Sequence, residues 1–285
     1  MRVRSIVLSI VAFAAWRAWA QQPAELPGRL VREVVYNEQH DHQLHGYWRY
    51  WIALEGQQNR IEEQIETADG PVTRLVASDG QALNQKDQQQ EQERLNRLLG
   101  SADEQARHRQ EFGDDERRIG RILALLPDAF VYEYDGIENG CYRLRFGPNS
   151  HYPAHSVEAR IFHAMSGTIW VDARFKRLTR LDGQLQENVD FGYGILGRLD
   201  KGGWFRLQRR QVSSTDWKTE RLEIHISGRA LLFKTIARET SQVRGGFASV
   251  PTGLTLAQGM KLLVAQPLTA SVTQASFPSI RLDGH

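Results

Sequence analysis

The chain has 285 residues, 41% of them apolar and 25% charged, with a formal net charge of +2 and a single cysteine. A chain of this size can build a core without covalent staples, and its balance excludes a collagen, a coiled-coil rod, a disordered polymer and a polytopic membrane protein. One cysteine, Cys141, excludes an intramolecular disulfide.

Residues 1–20 read as an export signal. Arg2 and Arg4 precede an apolar run from Ile6 to Trp16, and Ala18-Trp19-Ala20 forms a small-x-small cleavage pattern before Gln21. The run is about 11 residues, short of the ~20 that cross a bilayer as a helix. Cleavage removes three of the 36 basic residues, leaving 33 against 34 acidic ones and a net charge of −1. A body so close to neutral lacks the basic footprint that nucleic-acid binding requires. The mature chain is expected in the bacterial periplasm, without a spanning segment.

Residues 21–265 read as one domain, and 266–285 as a loose tail. A helix is expected over Arg29–Gln39, on the spacing of Leu30, Val34 and Val35. Alternating strands follow at Tyr47–Leu54, Asn59–Glu66 and Val72–Ser78, the last two joined by the Asp69-Gly70 turn. Composition then turns polar: 85–115 predicts a solvated helical insertion with a thin stripe of Leu95, Leu98 and Leu99, broken at Gly100 and Gly113 and dispensable for folding. Ile119, Ile122, Leu123 and Leu126 make an i, i+3, i+4, i+7 stripe, on a helix capped by Asp114 and ended by Pro127.

From Phe130 the pattern is β, apart from a short helix at Val157–Met165 and a final one at Thr255–Ala265. Strands are expected from Phe130 to Tyr134 and Tyr142 to Phe146, then at Gly167–Asp172, Arg177–Gln186, Gly203–Ser213, Glu220–Ile226 and Ala230–Ala237, with a turn at Ser227-Gly228. Alternating strands with short turns and few helices define an α+β fold with a curved antiparallel sheet. Its apolar face needs a cover, and the helix carrying Ile119–Leu126 and the terminal helix are the candidates.

The reactive patterns are weak. Gly192-Tyr193-Gly194-Ile195-Leu196-Gly197 matches G-x-G-x-x-G but lacks the following helix that would meet a pyrophosphate, so it reads as a glycine-rich strand connection. His40, His42 and His45 sit at a helix–strand junction without a metal-ligand spacing, and Pro153 takes His151 and His155 off a helix. Ser150 and Ser156 lack a nucleophile elbow, and Cys141 lacks a signature. Lys201, Arg206, Arg209 and Arg210 read as a solvated basic face. No catalytic residue, metal or cofactor is expected.

Gly167-Thr168-Ile169-Trp170-Val171-Asp172, followed by Arg177-Leu178 and Thr179-Arg180-Leu181-Asp182-Gly183, resembles the paired-strand signature of exported outer-membrane lipoprotein-sorting carriers. Gly203-Trp204-Phe205, Trp217 and Gly228-Arg229-Ala230-Leu231-Leu232-Phe233 look similar to that group, and the likeness spans Phe130 to about Phe247. It implies a half-barrel with helices on its concave side, sheltering lipid or the acyl chains of lipidated polypeptides. The polar insertion departs from the compact carriers. The lining expected from the alternation is Phe205, Leu207, Leu222, Ile224 and Ile226 on strands and Ile119, Ile122, Leu123 and Leu126 on the helix. A non-catalytic carrier or chaperone is therefore expected. The alternative is an envelope sensor or scaffold that uses the same face to bind a protein partner.

Overall fold

The computed structural model describes residues 25–40, 46–56, 59–191, 197–230 and 234–265. The proposed signal, the Asp41–His45 part of the histidine junction, most of the glycine-rich motif and the tail lie outside them. One antiparallel sheet organises the chain. Strands β1 (Tyr47–Glu55), β2 (Arg60–Ile65), β3 (Val72–Ser78) and β4 (Gln81–Ala82) make a meander at one end. Strands β5 (Phe130–Glu138), β6 (Cys141–Pro148), β7 (Met165–Asp172) and β8 (Leu178–Leu185) make a second at the other. Between them lie β11 (Trp204–Gln211), β12 (Trp217–Ala230) and β13 (Lys234–Val250), in the order β4-β3-β2-β1-β13-β12-β11-β8-β7-β6-β5. The short β9 (Val189–Phe191) and β10 (Gly197–Leu199) pair with each other, and β10 pairs with the end of β12. The sheet is open and curved, and the fold is α+β as expected.

Period-2 alternation sets the two faces. Phe130, Tyr132, Leu144, Phe146, Ile169, Val171 and Leu185 build buried clusters on the inner face. Helix α1 (Pro27–Gln39) buries Leu30, Val31, Val34 and Val35 there, with Pro27 at its first turn. Helix α4 (Val157–His163), capped by Ser156, adds Phe162. Helix α3 (Ala102–Ala129) adds Ile122, Leu123, Leu125 and Leu126. At its other half, Phe112 lies against Gly70 and Arg109 pairs with Asp69 at 3.9 Å, so α3 ties the β2–β3 turn to the β5 end of the sheet.

Several expectations are corrected. Helix α3 is capped by Ser101, whose hydroxyl accepts from Glu104 N; it is not broken at Gly113, and Pro127 lies inside its last turn. Helix α5 (Leu256–Ala265) does not cover the inner face: Leu256, Met260 and Leu263 pack with Ile65 and Val72 on the opposite side of the sheet. Gly228 is no turn but a strand residue pressed against Arg198 O of β10, where a Cβ would sit 2.2 Å away. Strand β13 runs on to Val250, beyond the expected end at Ala237.

The polar insertion is also more than a solvated excursion. Helix α2 (Gln85–Gly100) ends at Gly100 as expected, but Leu95 is buried beside Ile65 and Met260. Along the edge of β3 that β4 leaves open, Arg94 Nη2 donates to Thr73 O at 2.6 Å and Leu75 N donates to Glu91 Oε1 at 2.9 Å. Two side chains thus stand in for a missing strand, a way of blocking edge-to-edge association. Leu95→Ala should lower stability by about 2–5 kcal/mol in denaturant unfolding; a change below about 1 kcal/mol would mean that α2 is peripheral after all.

Candidate ligand-binding face

The inner face divides into a part packed under helices and, among the described residues, a row that joins no buried cluster. Register places Phe205 opposite Ile224 and Leu207 opposite Leu222, so the expected lining residues of β11 and β12 do share one face. Phe205 and Leu207 are half-buried against the clusters under α1, α3 and α4, as are Ile122, Leu123 and Leu126. Ile119 is not part of this lining: it is 54% exposed and belongs to neither cluster. Leu222, Ile224 and Ile226 are half-buried, and among the described residues they belong to none of the four buried clusters. The face continues across β13, where Gln242 stands opposite Leu222 and Arg244 opposite Ile52 of β1. Trp48, Tyr50 and Ile52 then form a second apolar patch with Leu54, Val212 and Phe247.

Ion pairs close the ends of this face. Glu38, in the last turn of α1, takes Arg177 of the β7–β8 connection at 3.3 Å and Arg209 of β11, and its carboxylate also accepts from Leu178 N. Arg177 Nη1 donates to Asn37 O and Arg209 Nη2 to Trp217 O. The expected solvated basic face is corrected at Arg209 alone, since Lys201 and Arg210 are exposed. Arg209 is turned into the protein, while Arg206 pairs with Glu223 on the outer face and Arg210 with Glu220. At β1, Trp48 Nε1 donates to the buried carboxylate of Asp216 at 3.1 Å, and Lys218 Nζ meets Glu66 at 2.7 Å.

Three phenols on this face, Tyr50, Tyr132 and Tyr134, have their pKa values pushed upward. Burial and then the nearby Glu66 carboxylate push Tyr50 well above the usual tyrosine range, with Arg244 pulling the other way. Burial does the same to Tyr132, and with Glu25 and Tyr142 it pushes Tyr134 up to about 12.

The outer face of β7, β8 and β11 is polar. Asp182, Thr168 and Arg206 line a shallow depression of about 380 Å³, with Arg180 paired to Asp182, Arg206 over the Trp204 ring at 5.3 Å and Trp204 stacked on His225. A second depression, about 720 Å³, lies between α2 and β2–β3 and is lined by Arg60, Asp87, Glu91, Arg94 and Arg97.

Among the described residues no His, Cys, Asp or Glu cluster could hold a metal ion, and no helix is long and apolar enough to cross a membrane. Gly197, the one described residue of the glycine-rich motif, opens β10. His40 stacks on Tyr36 at the end of α1, and Cys141 Sγ accepts from Thr179 Oγ1 at 3.6 Å. Sequence reading missed Arg244 and Gln242, because β13 was not recognised beyond Ala237. The alternation of Gln242, Arg244 and the β1 row was the available signal.

No family model and no curated protein matches the chain. A solved structure of a DUF1329 family protein from Desulfovibrio piger is similar at 9% identity and a TM-score of 0.30, covering 82% of this chain and 97% of that one. A likeness this slight bears on neither the fold nor the function of the present chain.

Proposed function

We propose that the protein is an exported, non-catalytic carrier that holds an apolar ligand, such as a lipid or the acyl chains of a lipoprotein, on the inner face of its half-barrel. One observation carries the reading: the row Leu222, Ile224, Ile226 is only partly buried and, among the described residues, joins none of the buried clusters that the helices pack against. Leaving apolar area in water forgoes roughly 25 cal/mol for each Å², so an apolar row that the described helices leave partly accessible is a candidate surface for an apolar ligand. The paired-strand signature and the curved sheet agree with it, and the basic, apolar start of the chain supports export.

A fluorescent fatty-acyl probe tests it. Ile224→Asp should abolish probe uptake, because it places a carboxylate in the row. His225→Asp should leave uptake intact, because His225 points to the opposite face, toward Trp204 and Glu239. Equal loss in both variants would remove the face assignment. No uptake by the unmutated protein would remove the carrier reading in favour of a scaffold that binds a protein partner.

A further inference from the structure

Resting on that reading of the inner face, we infer that the ligand is an anionic amphiphile and that Arg244 receives its headgroup. The β13 row Thr240, Gln242, Arg244 runs between two apolar rows, with Leu222 opposite Gln242 on one side and Ile52 opposite Arg244 on the other. An all-apolar ligand would gain nothing from a cation at this position. Arg244 Nε is buried without a hydrogen-bond partner. Its only hydrogen bond among the described residues runs from Nη2 to Gln242 Oε1, a neutral acceptor, at 3.2 Å, and no carboxylate there is within ion-pair distance.

The acids that share this face are already engaged. Glu66 holds Lys218 at 2.7 Å and Glu62 faces Arg60 at 3.8 Å. Arg244 is therefore a guanidinium with an unused donor, with apolar Ile52 opposite it on β1. In that setting a carboxylate or phosphate forms charge-assisted hydrogen bonds, roughly twice as strong as neutral ones. The aliphatic part of the same molecule would lie along Leu222 and Ile224. Fatty-acid carboxylates and phospholipid phosphates both supply this headgroup chemistry.

The test compares dodecanoate, dodecyl phosphate and dodecanol as competitors of a neutral fluorescent acyl probe bound to the full chain. Dodecanoate or dodecyl phosphate should bind about tenfold more tightly than dodecanol, which is about 1.4 kcal/mol. A preference for the phosphate over the carboxylate would assign the headgroup to phospholipid, and the reverse to fatty acid. Arg244→Gln should remove the anion preference, so that dodecanoate, dodecyl phosphate and dodecanol compete alike, and Arg244→Lys should restore part of it. Added salt should narrow the preference in the unmutated protein. Equal affinity of all three for the unmutated protein would overturn the headgroup assignment and leave the apolar carrier standing. An anion preference that survives in Arg244→Gln would move the headgroup elsewhere. Failure of the neutral probe itself to bind would overturn the carrier reading together with the assignment.

Discussion

Glu63→Ala should cost about 3–5 kcal/mol of stability, seen as a lower denaturant midpoint at unchanged slope. Glu63 is 2% exposed and stands between two arginines. Arg49 Nε donates to its Oε1 at 2.5 Å, and Arg74 Nη2 to its Oε2 at 2.6 Å. Arg49 is 6% exposed, so it cannot turn to water when the carboxylate goes. The loss comes from leaving buried charge uncompensated rather than from the pair's own attraction, which desolvation largely offsets. Two consequences separate this cause from simple loss of volume. Glu63→Gln, close in size but uncharged, should be nearly as damaging as Glu63→Ala. Replacing Arg49, Glu63 and Arg74 together by Met or Leu should recover most of the stability. A Glu63→Gln variant within about 1 kcal/mol of the parent would show that the arginines find other partners.

The second large effect concerns the paired glycines of β7 and β8. Gly167 and Gly183 stand directly opposite each other. A Cβ on Gly167 would lie 1.9 Å from Asp182 O and 2.8 Å from the Phe146 ring; one on Gly183 would lie 2.3 Å from the Phe205 ring. These aromatic rings occupy the space the missing side chains leave free, which is how Phe146 and Phe205 stay close to the sheet. Asp182 O is backbone in a neighbouring strand and cannot rotate aside. Gly167→Ala should therefore cost more than the roughly 1–3 kcal/mol of ordinary overpacking. Gly147→Ala, on the adjacent strand with nothing within 4 Å, should be nearly silent. Thermal melts of the two variants make the comparison, and similar melting temperatures would refute the close approach.

Where local pattern alone decides structure, the sequence was readable. Val72–Ser78 forms a strand with the bounds its alternation predicts, and Phe205 and Leu207 share a face with Ile224 and Leu222 because side chains alternate with period 2. Non-local contacts defeated the reading elsewhere. An amphipathic stripe says that α5 is buried but not on which side of the sheet. A glycine pressed against a neighbouring strand looks, in sequence, like a turn glycine; Gly228 is the example. Pro127 should stop a helix, yet Ala129 is fully buried and Tyr132 Oη donates to Leu126 O at 2.7 Å, which holds the last turn in place. Arg209 looked solvated because its partner, Glu38, lies 171 residues away. Of the candidate face, the β11 and β12 rows were legible. Arg244 was not, since its significance depends on which acids the fold pairs elsewhere.

The junction of β1 with β13 bears on when the chain can fold. Tyr47 pairs with Val250 and Glu55 with Ser241, so the first meander joins the rest of the sheet through the last of the described strands. On a ribosome, β1 to β4 would wait for some two hundred further residues before meeting their neighbour. Closing so long a loop costs only slowly growing entropy, but such distant pairing is slow to form. Synthesis thus finishes before the sheet does. If the chain is exported as proposed, a sheet left unfinished until its C-terminal strand emerges would let it be threaded through a narrow translocation pore without first being unravelled.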